Sequence, residues 1–493
     1  MNPILTKITH LIKQSASEAL TDTEFIEKEI ARWRISPERA LQIKGTMYCA
    51  GDHDILHRKR TAIGERGMQE EVGNLPNNRV VYNLYGKMVT QKVNYLLGKP
   101  FVLHGDNPLY INALSEVFDK KFMRTLKNAG KAALNGGISW LYIYYDNESR
   151  LRFKLFPSYE ILPFWKDTEH TEAEAAVRLY QVEVYDGKTP ELREKVEMYT
   201  ENGVKRFIYR NGNLIPDTDA QNPDYSFPYA AKSCREAKDG AGLYRWKQIP
   251  LIPIKCCERE IPLLKRVKSL QDGLNLMLSD FENNMQEDAR NTILVLKNYD
   301  GTNLGEFRKN LAAYGAVKVR CDGDAQGGVE TLEVKVDPDN YKAIIGVLKE
   351  GIVENSMGFN PKEGSLYDKG YGTPNQLNVK SMYTDIDLDA NDMETELQAA
   401  FEQILPFVNT YLYTSGKGNF QKERAEIIFN RDMLINESEV ISNCISSLDV
   451  LSKETVVAQH PWVNDPDAEL KRLRAQSDAK VQTEPKAKDT VKA

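Results

Sequence analysis

A long amphipathic pattern at residues 263–285 constrains the fold of this chain more than any other feature. Apolar residues recur there every three or four positions, which predicts a helix of several turns with one apolar face. A second helical pattern follows at residues 341–352. The residues between them, 293–336, hold short apolar runs and an alternating stretch, which predict a small α/β module. The sequence therefore predicts one compact module with a helix before it and a helix after it.

A third helical pattern, at residues 376–405, carries acidic residues on one face. Asp385, Asp389, Asp392 and Glu396 stand at positions i, i+4, i+7 and i+11, and this spacing places side chains on the same side of a helix. The preceding residues, 359–374, contain three glycines and two prolines. Because these residue types interrupt helices, the segment is predicted to be a loop between the second and third helices.

The amino-terminal half predicts a helix followed by antiparallel strands. The helix is expected at residues 83–97, because glycine and proline follow it closely. Aromatic and alternating apolar residues at 138–145 and 151–155 are typical of a β-hairpin. Residues 176–216 predict further strands, with tight turns at Asn202-Gly203 and Asn211-Gly212. This part of the chain is therefore predicted to be rich in β-structure.

The overall charge and the cysteine content argue against several classes of protein. The chain has 493 residues, a formal net charge of −6 and a sequence pI near 5.8, so a broad surface that grips nucleic-acid phosphates is not expected. Its six cysteines lack the paired spacing of metal ligands and favour a reducing compartment. No apolar run has the length of a membrane span, and no membrane partner is predicted.

An acidic motif in the third helix could bind calcium. Asp385, Asp387, Asp389 and Glu396 match four positions of a calcium-binding loop, yet Ala390 occupies the position that requires glycine. Nothing in the surrounding pattern interrupts the helix. A solvated acidic helix face is the favoured interpretation.

Two other motifs fit simpler roles. Gly187-Lys188-Thr189 has the end of a phosphate-binding loop but lies in a predicted hairpin, where it is expected to form a turn. His53 and His57 have the spacing of two zinc ligands on a helix, without an evident third ligand, and are expected to be surface histidines. The sequence therefore predicts no metal site and no cofactor.

A series of short stretches occurs in a fixed order along most of the chain. They are Tyr48 with Gly51-Asp52-His53-Asp54-Ile55, Tyr95-Leu96-Leu97-Gly98-Lys99-Pro100, Gly137 with Trp140-Leu141-Tyr142-Ile143-Tyr144-Tyr145-Asp146, Pro157 with Glu160-Ile161-Leu162-Pro163, Ile249-Pro250-Leu251-Ile252-Pro253, and Ser452-Lys453-Glu454-Thr455 followed by Pro461-Trp462-Val463-Asn464-Asp465-Pro466. In their order and spacing, across residues 48–470, the chain resembles the portal proteins of tailed bacteriophages, the head–tail connectors, of the siphophage type.

This resemblance implies an α+β fold of several regions, assembled as a dodecameric ring around a DNA channel. In chain order the regions are an N-terminal segment with a β-rich wing (1–255), a first stem helix (256–292), a small α/β clip (293–335), a second stem helix (336–358), a tunnel loop (359–374), a long channel helix (375–405), a crown (406–470) and a disordered tail (471–493).

The resemblance also implies a function. The ring would form the channel at the capsid vertex through which double-stranded DNA is packaged and ejected, without sequence specificity, active site, metal or cofactor. The implied partners are other copies of the chain, the terminase large subunit, the major capsid and scaffolding proteins, and a head–tail adaptor. The implied location is the virion, after assembly in the host cytoplasm.

Two groups of residues would then face the DNA. They are Lys362 and Lys369 with Tyr367 and Tyr371 in the tunnel loop, and the acidic stripe Asp385, Asp389, Asp392 and Glu396 on the channel helix. An acidic wall repels phosphates at short range. Such a wall suits a conduit in which duplex DNA has to slide.

Two alternatives from other classes remain open. A metal-dependent nuclease or phosphoryl-transfer enzyme would use Asp385, Asp387 and Asp389. A monomeric adaptor would bind a partner through the β-rich region. Metal-stimulated cleavage of DNA would favour the first, and the mass in solution separates the second from a ring.

Overall fold

The structure is a computed structural model and describes most of the chain. The described residues are 22–63, 68–71, 76–146, 148–186, 189–217, 226–227, 230–232, 243–246, 248–288, 292–297, 328–333, 338–359, 383–431, 437–463 and 466–483. The chain divides into two compact units. One unit comprises Met1–Gly358 and Asp389–Asn430, and the other comprises Phe359–Leu388 and Arg431–Ala493.

Helices dominate the first part of the first unit. They are α1 (Asp22–Arg34), α2 (Pro37–Ala50), α3 (Leu84–Leu97), α4 (Pro108–Val117) and α5 (Lys120–Gly136), with short strands β1 (Thr61–Ile63), β2 (Gln69–Glu71) and β3 (Val102–His104). Side chains cap the helix starts: Ser36 accepts a hydrogen bond from the backbone of α2, and Asp119 does the same for α5. The helix predicted at residues 83–97 is confirmed as α3.

The β-rich region contains a small sheet and a larger one. Its strands are β4 (Ile138–Tyr145), β5 (Leu151–Pro157), β6 (Ile161–Trp165), β7 (Ala173–Asp186), β8 (Thr189–Thr200), β9 (Gly203–Arg210), β10 (Asn213–Pro216), β11 (Ser226–Phe227), β12 (Ala230–Lys232), β13 (Leu243–Arg245) and β14 (Leu251–Lys255). The small sheet has the order β14-β4-β5. Its β4–β5 pairing is antiparallel, so the predicted hairpin is confirmed.

The larger sheet is antiparallel, with the order β10-β9-β8-β7-β6 and β11 paired to β9. Ile26 and Ile30 of α1 pack against one face, in a cluster that includes Val196 and Phe207. Both predicted turns are confirmed. Asn211 and Gly212 adopt φ of 52° and 88°, the left-handed values that a type I′ turn requires, and Thr200 pairs with Gly203 across the other turn.

The predicted arrangement of helix, module and helix is also present. Helix α6 (Leu263–Asp288) leads to strand β15 (Thr292–Lys297), which pairs antiparallel with β16 (Gly328–Glu333) before helix α7 (Pro338–Asn355). The remainder of the module, residues 298–327, lies outside the described residues. Helices α6 and α7 pack together, and the Asn284 amide donates a hydrogen bond to the Tyr341 hydroxyl at 2.9 Å. The two helices thus pack against each other, and in the sequence one precedes the module and the other follows it.

The third long helix, α8 (Thr384–Thr414), ends nine residues later than the sequence analysis predicted. It passes through Pro406, which removes one backbone hydrogen bond but does not end the helix, because Phe407, Val408 and Leu412 beyond it are buried. The predicted apolar face is confirmed where it is described: Met393, Leu397, Phe401 and Ile404 are buried. The predicted start, residues 376–382, lies outside the described residues. Strand β17 (Glu426–Ile428) follows and pairs with β3.

Helices make up much of the described part of the second unit. They are α9 (Glu437–Ser446), α10 (Lys453–Gln459) and α11 (Pro466–Thr483). Helix α11 corrects the prediction of a disordered tail from residue 471 as far as residue 483. Its alanine, glutamate, lysine and arginine residues favour helix without an apolar period, which is why the sequence pattern was misread. No described helix has the length and hydropathy to span a bilayer.

Candidate functional site along helix α6

Helix α6 carries a row of buried polar side chains, which we call the polar seam. Its members are Gln271, Asn275, Ser279 and Asn283, each fully buried. They stand four residues apart and therefore lie along one side of the helix. A polar row of this kind is costly to bury unless every member is hydrogen-bonded.

The polar seam binds the backbone of residues 78–85. The Asn78 amide donates to Asn283 Oδ1 at 2.7 Å, and the Val80 amide donates to Ser279 Oγ at 2.9 Å. The Tyr82 amide donates to Asn275 Oδ1 at 3.0 Å, and the Tyr85 amide donates to Gln271 Oε1 at 2.9 Å. Asn78, Val80 and Tyr82 are alternate residues, which lie about 6.6 Å apart in an extended chain, and helical residues four apart lie about 6 Å apart. Tyr85, three residues further on, already belongs to α3. These repeats match, so the helix takes the place of a partner strand.

His53 also contacts the polar seam, through the side chain of Asn275. His53 Nε2 lies 3.0 Å from the carbonyl oxygen of Tyr48, which can only accept, so Nε2 carries the proton in the neutral ring. His53 Nδ1 therefore accepts from the Asn275 amide at 2.8 Å. The ring is fully buried and stacks on Tyr48 with centroids 4.4 Å apart. Burial lowers the pKa of His53, consistent with a neutral ring.

A charged network lies beside this histidine. The Tyr48 hydroxyl donates to Asp272 Oδ1 at 2.6 Å, and Lys268 Nζ donates to Asp272 at 2.6 Å and Asp54 at 2.8 Å. Burial would raise the pKa of the Asp54 carboxyl, but hydrogen bonds from Lys268 and Lys44 outweigh it and hold this pKa well below its usual value. The turn formed by residues Tyr48 to Asp54 is therefore held against α6 by these contacts.

The predicted acidic stripe on α8 is divided by its surroundings. Asp389 Oδ2 accepts from Lys92 Nζ at 2.7 Å, and its Oδ1 accepts from Arg266 Nη1 at 3.0 Å. Only 14% of the Asp389 side chain is exposed. Asp389 is therefore an internal ion-pair partner, and the expectation that it belongs to a solvated face is wrong.

The other stripe residues differ among themselves. Asp385 and Asp392 are exposed, and Glu396 is half-buried. Burial raises the pKa of Glu396 and outweighs the opposing effect of Lys255, with Glu260, Glu258 and Asp392 adding to the rise. These carboxylates do not form one uniform row.

Cations of the chain engage two of the three carboxylates that the nuclease alternative would use. The nuclease would need Asp387 and Asp389 free, but Arg431 Nη1 donates to Asp387 Oδ1 at 2.9 Å, and Asp389 is bound by two cations. Both ring nitrogens of His53 are already bonded within the chain, so His53 is not the surface residue that the sequence suggested. His57 is 72% exposed and faces Asp52. The described part of the chain contains no cluster of His, Cys, Asp and Glu that could hold a metal ion.

The residues of the predicted tunnel loop, Lys362, Tyr367, Lys369 and Tyr371, lie outside the described residues. So does the Gly187-Lys188 part of the phosphate-loop motif. Sequence reasoning missed the polar seam. Its signal was present as an amide or hydroxyl residue at every fourth position of an amphipathic helix.

The described part of the chain thus combines helices with antiparallel sheets, and buried polar side chains of α6 join this helix to the backbone of residues 78–85. The profile of the family described as phage portal protein, SPP1 Gp6-like, matches residues 38–483. The chain therefore belongs to this family, as its resemblance to siphophage portal proteins predicted.

Relatives agree with this assignment. The portal protein of Bacillus phage SPP1 is 28% identical over 471 residues, covering 95% of this chain and 89% of that protein. The portal protein of Clostridium phage phiCD119 is 23% identical over 440 residues, covering 87% and 90%. A solved structure of the virion of a native gene transfer agent (GTA) particle matches 75% of this chain and 87% of its own, with a TM-score of 0.40 and 12% identity. That last likeness is too weak to support an argument.

Proposed function

We propose that the protein assembles as a ring, with dodecamer as the expected size, and forms the channel at a capsid vertex through which double-stranded DNA enters and leaves. The observation that carries this proposal is family membership across residues 38–483, together with the portal proteins that match nearly the whole chain. In this role the chain is a conduit and has no active site of its own.

Exposed apolar side chains support assembly. On α7, Ile344 is 48% exposed and Val347 is 67% exposed. In the second unit, Ile445, Val450 and Trp462 are more than half exposed. Apolar groups that remain in water on a single chain are candidates for subunit contacts, and a closed ring presents the same patches to every neighbour.

The electrostatics support weak contact with DNA. The chain is acidic overall, and Asp385 and Asp392 of α8 are exposed. Carboxylates on a channel wall would repel phosphates and let the duplex slide. Lys362 and Lys369, beside Tyr367 and Tyr371, are proposed to touch the duplex transiently from the tunnel loop.

The remaining partners follow from the same role. A portal ring would dock the terminase large subunit during packaging, the major capsid and scaffolding proteins during shell assembly, and a head–tail adaptor afterwards. It would assemble in the host cytoplasm and remain in the virion.

Negative-stain microscopy and native mass measurement of the purified protein test the ring. We expect closed rings with a central hole, and we expect Val347→Asp to reduce them because it places a charge in an apolar contact. Lys342→Asp, an exposed change on the same helix, is the control and should assemble normally. A strictly monomeric protein under all assembly conditions would overturn the proposal.

The DNA contact needs a separate test. Lys362→Glu combined with Lys369→Glu should leave the rings intact but lower the amount of DNA packaged or retained, because two positive charges become repulsive. Lys120→Glu with Lys121→Glu, two exposed lysines at the start of α5, makes the same change in charge elsewhere. Normal filling by the first double variant would remove these lysines from the mechanism.

A further inference from the structure

Lys92 of α3 contacts two distant stretches of the chain at once. Its Nζ donates to Asp389 Oδ2 of α8 at 2.7 Å and to the carbonyl oxygen of Met357, just after α7, at 3.1 Å. Arg266 of α6 donates to the other oxygen of Asp389 at 3.0 Å. We call these four residues the Lys92 junction. One ammonium group thereby holds the end of α7 and an early turn of α8.

Lys92 and Asp389 are largely buried within the junction, so the energetic cost of an unpaired charge there is high. The Lys92 side chain is only 4% exposed. Burial lowers the pKa of Lys92, while the neighbouring Asp389 opposes that change. A buried ammonium without acceptors is strongly disfavoured. Lys92 therefore depends on its acceptors, and removing the Asp389 carboxylate leaves its charge uncompensated inside the protein.

The end of α7 is shaped to meet Lys92. Met357 has a φ of 50°, an uncommon value for a residue with a side chain. The Gly358 amide closes the helix by donating to the Val353 carbonyl at 2.9 Å. A Cβ on Gly358 would lie 2.5 Å from Met88 Sδ of α3, so this turn approaches α3 closely. A cation at the carboxyl end of a helix also interacts favourably with its exposed carbonyls.

A second contact joins the chain before residue 360 to the chain after residue 382. The rings of Phe359 and Tyr383 stack with centroids 4.6 Å apart, and Tyr383 is 8% exposed. This contact lies within the second unit, whereas the Lys92 junction lies within the first. Each unit therefore contains its own contact between the chain before residue 360 and the chain after residue 382.

We propose that Lys92 is a positioning residue that couples the carboxyl end of α7 to the first turns of α8. It does so by binding Met357 and Asp389 with the same ammonium group, so that neither helix end shifts without the other. This coupling is a property of a single chain and does not require the ring. Its test is therefore independent of the test of ring formation.

Hydrogen exchange followed by mass spectrometry on the full-length protein tests the coupling. Lys92→Met keeps a long side chain but removes the charge. We expect exchange to rise in residues 352–358 and 387–393 together, by roughly tenfold, as the loss of a hydrogen bond to a charged group predicts. Lys342→Met is the control, because Lys342 is 78% exposed in its pair with Asp339, and it should leave both segments unchanged.

Two further variants distinguish a specific coupling of α7 to α8 from a general loss of stability. Lys92→Arg keeps a cation and should restore part of the protection. Asp389→Asn alters no residue of α7, yet it should also raise exchange in residues 352–358, because Lys92 loses its charged acceptor; it weakens the Arg266 contact of α6 as well. This variant carries the test if Lys92→Met does not fold. The proposal is overturned if only one segment responds, or if exchange rises equally in β4, which would mean that the whole unit had loosened.

Discussion

The Asn275 amide donates to His53 Nδ1 at 2.8 Å, a contact that joins the stretch at residues 48–55 to the centre of α6 and requires an unprotonated ring. A protonated His53 would direct an N–H at the Asn275 amide group, so two donors would face each other in a buried site. The charge state of one histidine therefore controls the Asn275 contact of the polar seam.

The first prediction is a loss of stability in mild acid. The ordinary pKa of histidine is 6.5, and the folded chain lowers the pKa of His53 below that value. As the pH falls below about 6.5, the unfolded chain binds the proton first, so the free energy of unfolding decreases by at most about 1.4 kcal/mol per pH unit. The loss is complete once the pH has passed the folded pKa. Urea unfolding between pH 7 and pH 5 measures this slope.

A matched pair of variants assigns this slope to one residue. His53→Gln keeps an amide donor for the Tyr48 carbonyl but cannot titrate, and it should flatten the slope. His57→Gln is the control, because His57 is 72% exposed, and it should retain the slope of the unmodified protein. An unchanged slope in His53→Gln would show that other groups control the acid response.

The second prediction concerns the hydroxyl in the polar seam. Ser279→Ala removes the acceptor for the Val80 amide, which lies 2.9 Å from Ser279 Oγ. A buried amide without a partner should lower the free energy of unfolding by about 1–3 kcal/mol. Ser269→Ala makes the same change at an exposed position of α6 and should stay within about 0.5 kcal/mol of the parent. Equal effects of the two variants in urea unfolding would argue against the seam.

The third prediction compares two helical glycines. A Cβ on Gly45 of α2 would lie 2.0 Å from the Asn135 carbonyl oxygen of α5, whereas one on Gly346 of α7 meets nothing within 4 Å. Gly45→Ala should therefore separate two packed helices and cost about 2–3 kcal/mol. Gly346→Ala should instead stabilise the monomer by about 0.5–1 kcal/mol. Thermal unfolding measures both effects: the unfolding temperature should fall in Gly45→Ala and rise in Gly346→Ala.

Local signals predicted much of the fold. The turn at Asn211-Gly212 was predictable because a type I′ turn needs left-handed residues at both positions, and those two residues adopt them. Helix α3 was predictable because glycine and proline mark its end. The end of α8 was not, because Pro406 usually stops a helix, and only the buried residues beyond it keep the helix going.

Long-range contacts explain what the sequence did not reveal. Asp389 fits a helix-face pattern, but its role depends on Lys92, which is 297 positions away. The polar seam has the composition of a solvated face, and only the backbone at residues 78–85 gives it a buried role. Spacing in the chain shows which side chains share a helix face. It does not show what lies opposite that face.

The last prediction concerns Glu396, the stripe residue whose charge the fold opposes. Its pKa is raised in the folded chain, so as the pH rises above the ordinary value of 4.5 the unfolded chain loses its proton first, and ionisation then favours unfolding. Glu396→Gln removes this penalty. Because the group is half-buried and screened by solvent, the gain at pH 7 should be roughly 0.5 kcal/mol. At pH 4, where both states hold the proton, the gain should vanish. Glu402→Gln, the same change at an exposed position of α8, is the control and should change stability less at pH 7. A Glu396→Gln variant that is less stable than the parent at pH 7 would show that its carboxylate is held by favourable contacts.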